Sequence, residues 1–112
     1  MEKYINDAMV GNSNILVSLN KKGDILRFYA PQIDYMQHIN EHKVGIIIED
    51  SKIFWFNDEN IFKHEQYYEP NTNILITKIY NDSIGVIQKD FVDINQNVLV
   101  RNYTVTIWEL II

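Results

Sequence analysis

Short β-branched and aromatic runs, each closed by a cluster of turn residues, recur along the whole sequence, and this rhythm most constrains the fold. Residues 14–19 form an apolar run that stops at Asn20-Lys21-Lys22-Gly23-Asp24. That polar stretch reads as a hairpin loop whose late glycine takes positive φ. The return run, residues 25–30, is halted by Pro31. Residues 31–42 are polar and irregular and read as a long loop, with room for one helical turn around Ile33 to Asn40. Further runs follow at residues 44–49, 52–56, 62–68, 74–80, 84–93 and 98–108, with Asp50-Ser51, Asn57-Asp58-Glu59-Asn60, Glu69-Pro70-Asn71-Thr72-Asn73 and Asn81-Asp82-Ser83 as turns. About eight short strands at regular spacing predict an all-β fold, an antiparallel sandwich or strongly twisted sheet. No stretch holds a helical period with caps. The expected core is Leu16, Leu19, Ile25, Phe28, Ile46, Ile48, Ile53, Trp55, Leu75, Ile79, Val86, Leu99 and Val100.

Size and charge then narrow the class. With 112 residues and no internal composition break, residues 1–112 read as one domain with one core. The absence of cysteine excludes a disulfide scaffold, a thiolate metal site and a cysteine nucleophile. A net charge of −5 without a basic patch argues against nucleic acid. No apolar run approaches the roughly 20 residues that cross a bilayer. The start, Met1-Glu2-Lys3-Tyr4-Ile5-Asn6-Asp7, lacks the apolar stretch of a secretory signal. A cytoplasmic protein is the expectation.

Four groups of residues could carry chemistry. His38 and His42 are spaced as two ligands on one helix face, with Asp34 or Glu65 to complete a metal site, but the second residue of a His-Glu-x-x-His pattern is Ile39. No metal or other cofactor is expected, and these histidines read as loop-holding groups. The acid pairs Glu49/Asp50, Asp58/Glu59 and Asp90/Asp93 fall at predicted turns and solvated strand faces, where they serve turn geometry and solubility. Trp55 stands between Phe54 and Phe56, so alternation sends it to one face and both Phe to the other. One face is expected to be core and the other to cover a partner domain, or to stack on a sugar ring. Tyr67, Tyr68 and Trp108 carry the same two readings. No phosphate-binding glycine loop and no Gly-x-Ser-x-Gly element is present.

The order of these elements resembles a known family. Gly11-Asn12-Ser13, a strand, the Gly23 turn and a second strand make its opening. Phe28-Tyr29-Ala30-Pro31-Gln32-Ile33-Asp34 is similar to its Tyr-x-Pro-x-x-Asp element. His38, His42 and residues 44–50 look like its His-x-x-Gly strand ending in Asp. Ile53-Phe54-Trp55-Phe56-Asn57-Asp58, Tyr68-Glu69-Pro70-Asn71-Thr72 and the Leu99-Val100-Arg101 strand follow in its order. Together they resemble the N-terminal β-sandwich of bacterial glucoamylases and related glucosidases, glycoside hydrolase family 15, from about Tyr4 to about Val105. Residues 106–112 depart from the pattern. The resemblance covers the first half of that sandwich. It implies a parent of the glucan 1,4-α-glucosidase type, whose catalytic glutamate pair belongs to a separate helical barrel. No catalysis is then expected of this chain, as a fragment or as a stand-alone half-sandwich. Its implied role is to support that barrel, with Tyr29, Asp34, His38, His42 and Trp55 as substrate or interface residues. A stand-alone module binding an α-glucan is the alternative. Half a sandwich leaves an open edge, so a homodimer is also expected.

Overall fold

The computed structural model describes residues 8–12, 15–29, 42–47, 52–93, 95–96 and 98–108. Among them it is all-β, with nine strands and three antiparallel sheets. β1 (Ala8–Gly11), β2 (Leu16–Leu19) and β3 (Ile25–Tyr29) form one sheet. β4 (Gly45–Ile47) pairs with β5 (Ile53–Trp55). β6 (Lys63–Tyr68), β7 (Leu75–Tyr80), β8 (Ile84–Val92) and β9 (Leu99–Ile107) make a four-stranded meander. The helical turn considered around Ile33 to Asn40, together with Asp34 and His38, lies outside the described residues.

The meander forms one layer and the two smaller sheets form the other. β8 shows why: Ile84, Val86, Gln88 and Asp90 are buried while Gly85, Ile87 and Lys89 are not, a period of two that gives the strand one inner face. Two apolar cores meet that face. Val10, Ile15, Val17, Leu19 and Ile25 pack with Leu75 at one end, joined by Val92 and Leu99. Phe54, Phe56 and Phe62 pack with Ile79, Ile84 and Val86 at the other.

Local chemistry sets the connections. Gly23 has φ 83°, as the loop reading expects. The Asn20 side chain accepts from the Lys22 and Asp24 N–H groups at 3.0 Å each, closing the turn. Gly11 lies so near the Ile15 carbonyl that a Cβ there would sit 2.4 Å from its oxygen. Asn12 accepts from the Ile15 N–H at 2.8 Å and donates to the Asp93 carbonyl at 3.0 Å, tying the β1–β2 turn to the end of β8. The Asn81 carboxamide accepts from both Ser83 and Ile84 N–H groups at 2.8 Å, shaping the β7–β8 turn.

Several core expectations are corrected. Ile53 is 42% exposed, because it pairs with Ile47 on the outward face of β4–β5. Phe54 and Phe56 take the core, and Trp55 stands half-buried on the other side. Val100 pairs with Phe91, one residue out of phase with the inward Leu99, so it faces away from the core. Ile48 lies outside the described residues. β1 was absent from the predicted strands. Its four residues are too short to show a period, and tertiary contacts hold it instead. The Tyr68 hydroxyl accepts from the Met9 N–H at 3.0 Å and donates to the Met9 carbonyl at 2.7 Å.

Candidate functional site

Between the two apolar cores, the inner face of the meander turns polar on all four strands. Gln66, Thr77, Gln88 and Tyr103 form one cross-strand row, and Asp90 and Arg101 stand directly opposite each other in the next. Thr77 and Asp90 are fully buried and Gln88 nearly so. Buried polar groups require partners, and Gln66, Gln88 and Arg101 obtain theirs in part from the β2–β3 loop. Arg101 Nε donates to Asp90 Oδ1 at 2.6 Å, and Nη2 reaches the Gly23 carbonyl. Gln88 Nε2 donates to Asp90 Oδ2 at 2.8 Å and to the same Gly23 carbonyl at 3.1 Å. Gln66 Nε2 bridges the Asn20 carbonyl at 2.9 Å and Thr77 Oγ1 at 3.1 Å. Glycine at position 23 suits this approach, since a Cβ would lie 2.5 Å from Gln88 Nε2. The loop thus plugs the seam between the cores.

Asp90 corrects the sequence reading. The sequence predicts a solvated strand face for it, yet its side chain is 0% exposed and ion-paired. Asp58 and Asp93 behave as expected, accepting from the N–H groups of Asn60 and Asn95 in their own turns, and exposed Glu59 pairs with Lys22; Glu49 and Asp50 lie outside the described residues. A carboxylate sealed behind an arginine has no path to a substrate, so this ion pair organises the fold.

His42 joins the knot from outside. Its Nδ1 lies 3.2 Å from Arg101 Nη1. Guanidinium only donates, so Nδ1 is the acceptor and carries no proton there. Burial, then the neighbouring Arg101 charge, holds His42 below its ordinary value near 6.5, while Asp24 and Asp90 oppose this. A guanidinium beside the ring also disfavours a metal cation, and among the described residues no three His, Cys, Asp or Glu cluster as ligands. The unfolded chain takes up this proton at higher pH than the folded chain does. Stability is therefore fully present above about pH 6.5 and falls as acidification passes through the folded value. The melting midpoint is expected to drop between about pH 7 and 5 more in the native chain than in His42→Gln. Parallel curves for the two would remove His42 from the account.

Tyr103 closes the row. Its ring centroid lies 6.0 Å from that of Phe56. Its hydroxyl is buried with no hydrogen-bond partner among the described residues, and burial raises its pKa. Tyr103→Phe removes that orphan group and is expected to stabilise by about 1 kcal/mol, read as a higher urea midpoint. A loss of similar size would mean that the hydroxyl is satisfied.

The remaining site expectations are scattered. Tyr29 is half-buried on β3 opposite Leu16. Trp55 is opposite Gly45, with the Lys43 ammonium 4.7 Å from its ring centroid. Among the described residues no hydrogen bond or ring contact joins Tyr29, His42 and Trp55. Sequence reasoning did not place a groove on the outer face of the meander. It has a volume of about 410 Å³ and is lined by Glu65, Lys78, Tyr80, Thr104, Thr106 and Trp108 among others. The Trp108 indole, 62% exposed, reaches over Gly85.

Fold and site together define an all-β antiparallel domain whose most buried charges serve its architecture. Comparison places it beside a hydrolase: the chain is 32% identical over 93 residues to an uncharacterized glycosyl hydrolase of Methanocaldococcus jannaschii. The match covers 83% of this chain and 15% of that protein, so the chain spans a small part of the length of the relative it matches. No family model matches, and no solved structure matches.

Proposed function

We propose that this chain is a non-catalytic β-sandwich domain or fragment of a glucoamylase-like glycoside hydrolase, acting to support a helical catalytic barrel. The similarity of most of the chain to a small part of a protein named as a glycosyl hydrolase carries this reading. The burial of Asp90 behind Arg101 is in keeping with it. The outward face of β4–β5 offers a docking surface for the barrel: Ile47 is 58% exposed and Ile53 lies beside it, with Trp55 next along the sheet. Such adjoining exposed apolar residues characterise partner surfaces. The test is turnover of an aryl α-glucoside and of maltooligosaccharides by the purified chain. No release above buffer is expected, and release that survives repurification would overturn the reading.

The groove beside Trp108 favours a second reading, a carbohydrate-binding module. An exposed indole flanked by the Thr104 and Thr106 hydroxyls and by Glu65 combines a stacking face with polar groups for sugar hydroxyls. Maltose, isomaltose, trehalose and starch titrated against tryptophan fluorescence test it, with Trp55→Ala isolating the Trp108 signal. An unchanged signal with all four sugars removes it.

A further inference from the structure

We propose that two copies of this chain join antiparallel through β9, edge to edge, extending the four-stranded meander into one continuous sheet. The direction of the β9 backbone groups supports this. Trp108 N–H donates to the Ser83 carbonyl at 2.7 Å, and the Val98 carbonyl accepts from Asp93 N–H at 3.1 Å. In an antiparallel ladder alternate residues bond to the same side. Even-numbered residues of β9 therefore face β8, and Tyr103, Val105 and Ile107 turn their N–H and C=O groups outward. Among the described residues β9 has no strand beyond it.

The two edges of the meander differ in chemistry. β6 carries exposed Lys63 and Glu65, the charges that protect an edge from strand addition. Between Val98 and Trp108 the sequence holds one charged residue, Arg101, and its guanidinium is engaged by Asp90 and Gly23. No proline interrupts the strand. Its side chains also lack cover. Val105 and Ile107 are 42% and 44% exposed, although they stand opposite buried Val86 and Ile84 on the inner face. The apolar inner face thus continues past its cover to the open edge.

A second copy fits this edge because β9 is complementary to itself. A two-fold axis at Val105 sets Val105 against its symmetry mate, Thr104 against Thr106 and Tyr103 against Ile107. Outward N–H and C=O groups then meet in hydrogen-bonded pairs, β-branched side chains adjoin, and no like charges face each other on β9. The net charge of −5 on each copy opposes approach, so added salt strengthens the dimer.

Sedimentation velocity on the 112-residue chain, from micromolar to millimolar concentration, tests this. The expected mass rises from 13.3 kDa toward twice that value. Over the same range, exchange of the Tyr103, Val105 and Ile107 amides slows, whereas Thr104 and Thr106 are protected throughout. Val105→Pro removes one outward N–H that the isolated sheet does not use, and Ile107→Lys places a charge beside the axis. Each is expected to be monomeric with an unchanged far-ultraviolet spectrum, and Ile107→Lys decides the matter if Val105→Pro fails to fold. A native chain that stays monomeric overturns the proposal. So does a dimer that Ile107→Lys leaves intact, or growth into open-ended polymers. None of these results bears on the hydrolase reading, which rests on sequence similarity.

Discussion

Arg101→Met is expected to destabilise the fold by about 3–5 kcal/mol, because removing one partner of a buried ion pair strands the other. Domains of this size hold only about 5–15 kcal/mol in total, so the variant should sit near the edge of folding. Asp90 Oδ1 loses its donor outright, while Asp90 Oδ2 and the Gly23 carbonyl each lose one of two and keep Gln88 Nε2. The charge of Asp90 would then lie in a site that is 0% exposed. Arg101→Lys should recover little, since an ammonium cannot span Asp90 and the Gly23 carbonyl with a planar fork. Replacing both charges, as Asp90→Leu with Arg101→Met, should cost less than Arg101→Met alone, because no buried charge remains. Urea denaturation of the three variants checks this. A double variant worse than the single would show that the pair contributes more than its own mutual neutralisation.

Leu75→Ala is expected to cost about 2–5 kcal/mol. Leu75 is 1% exposed and is the meander's buried apolar contribution to the core formed with β1, β2 and β3. A cavity there loosens the contact between the layers, and the loss of packing cannot be made good from solvent. Ile53→Ala, although it deletes the same number of side-chain carbons, should cost much less, because Ile53 is 42% exposed. Thermal or urea midpoints of the two variants give the comparison. Equal losses would mean that Ile53 is covered in solution.

The outline of the fold was legible because its signals are local. The Asn20–Asp24 loop holds a residue that needs positive φ and an Asn that caps its own turn, and both act within a few residues. Alternation around Trp55 separated it from Phe54 and Phe56, but it could not say which side was core. That depended on Ile79, Ile84 and Val86, far along the chain. Leu99 and Val100 were both expected inside, although adjacent strand residues face opposite ways. Asp90 was misread for a longer-range reason. Its partner Arg101 lies across the β8–β9 register, and the loop whose Gly23 carbonyl accepts from Arg101 comes from β2–β3. A single sequence marks neither pairing. Arg101 was singled out by resemblance alone and His42 by its spacing from His38 as well, and the structure brings them within 3.2 Å of each other.

The most direct measurement is to sequence the coding DNA beyond the Ile112 codon. The account predicts a reading frame, continuous or frameshifted, that completes the sandwich and then encodes a helical barrel with two catalytic glutamates. Unrelated sequence following that codon would contradict it.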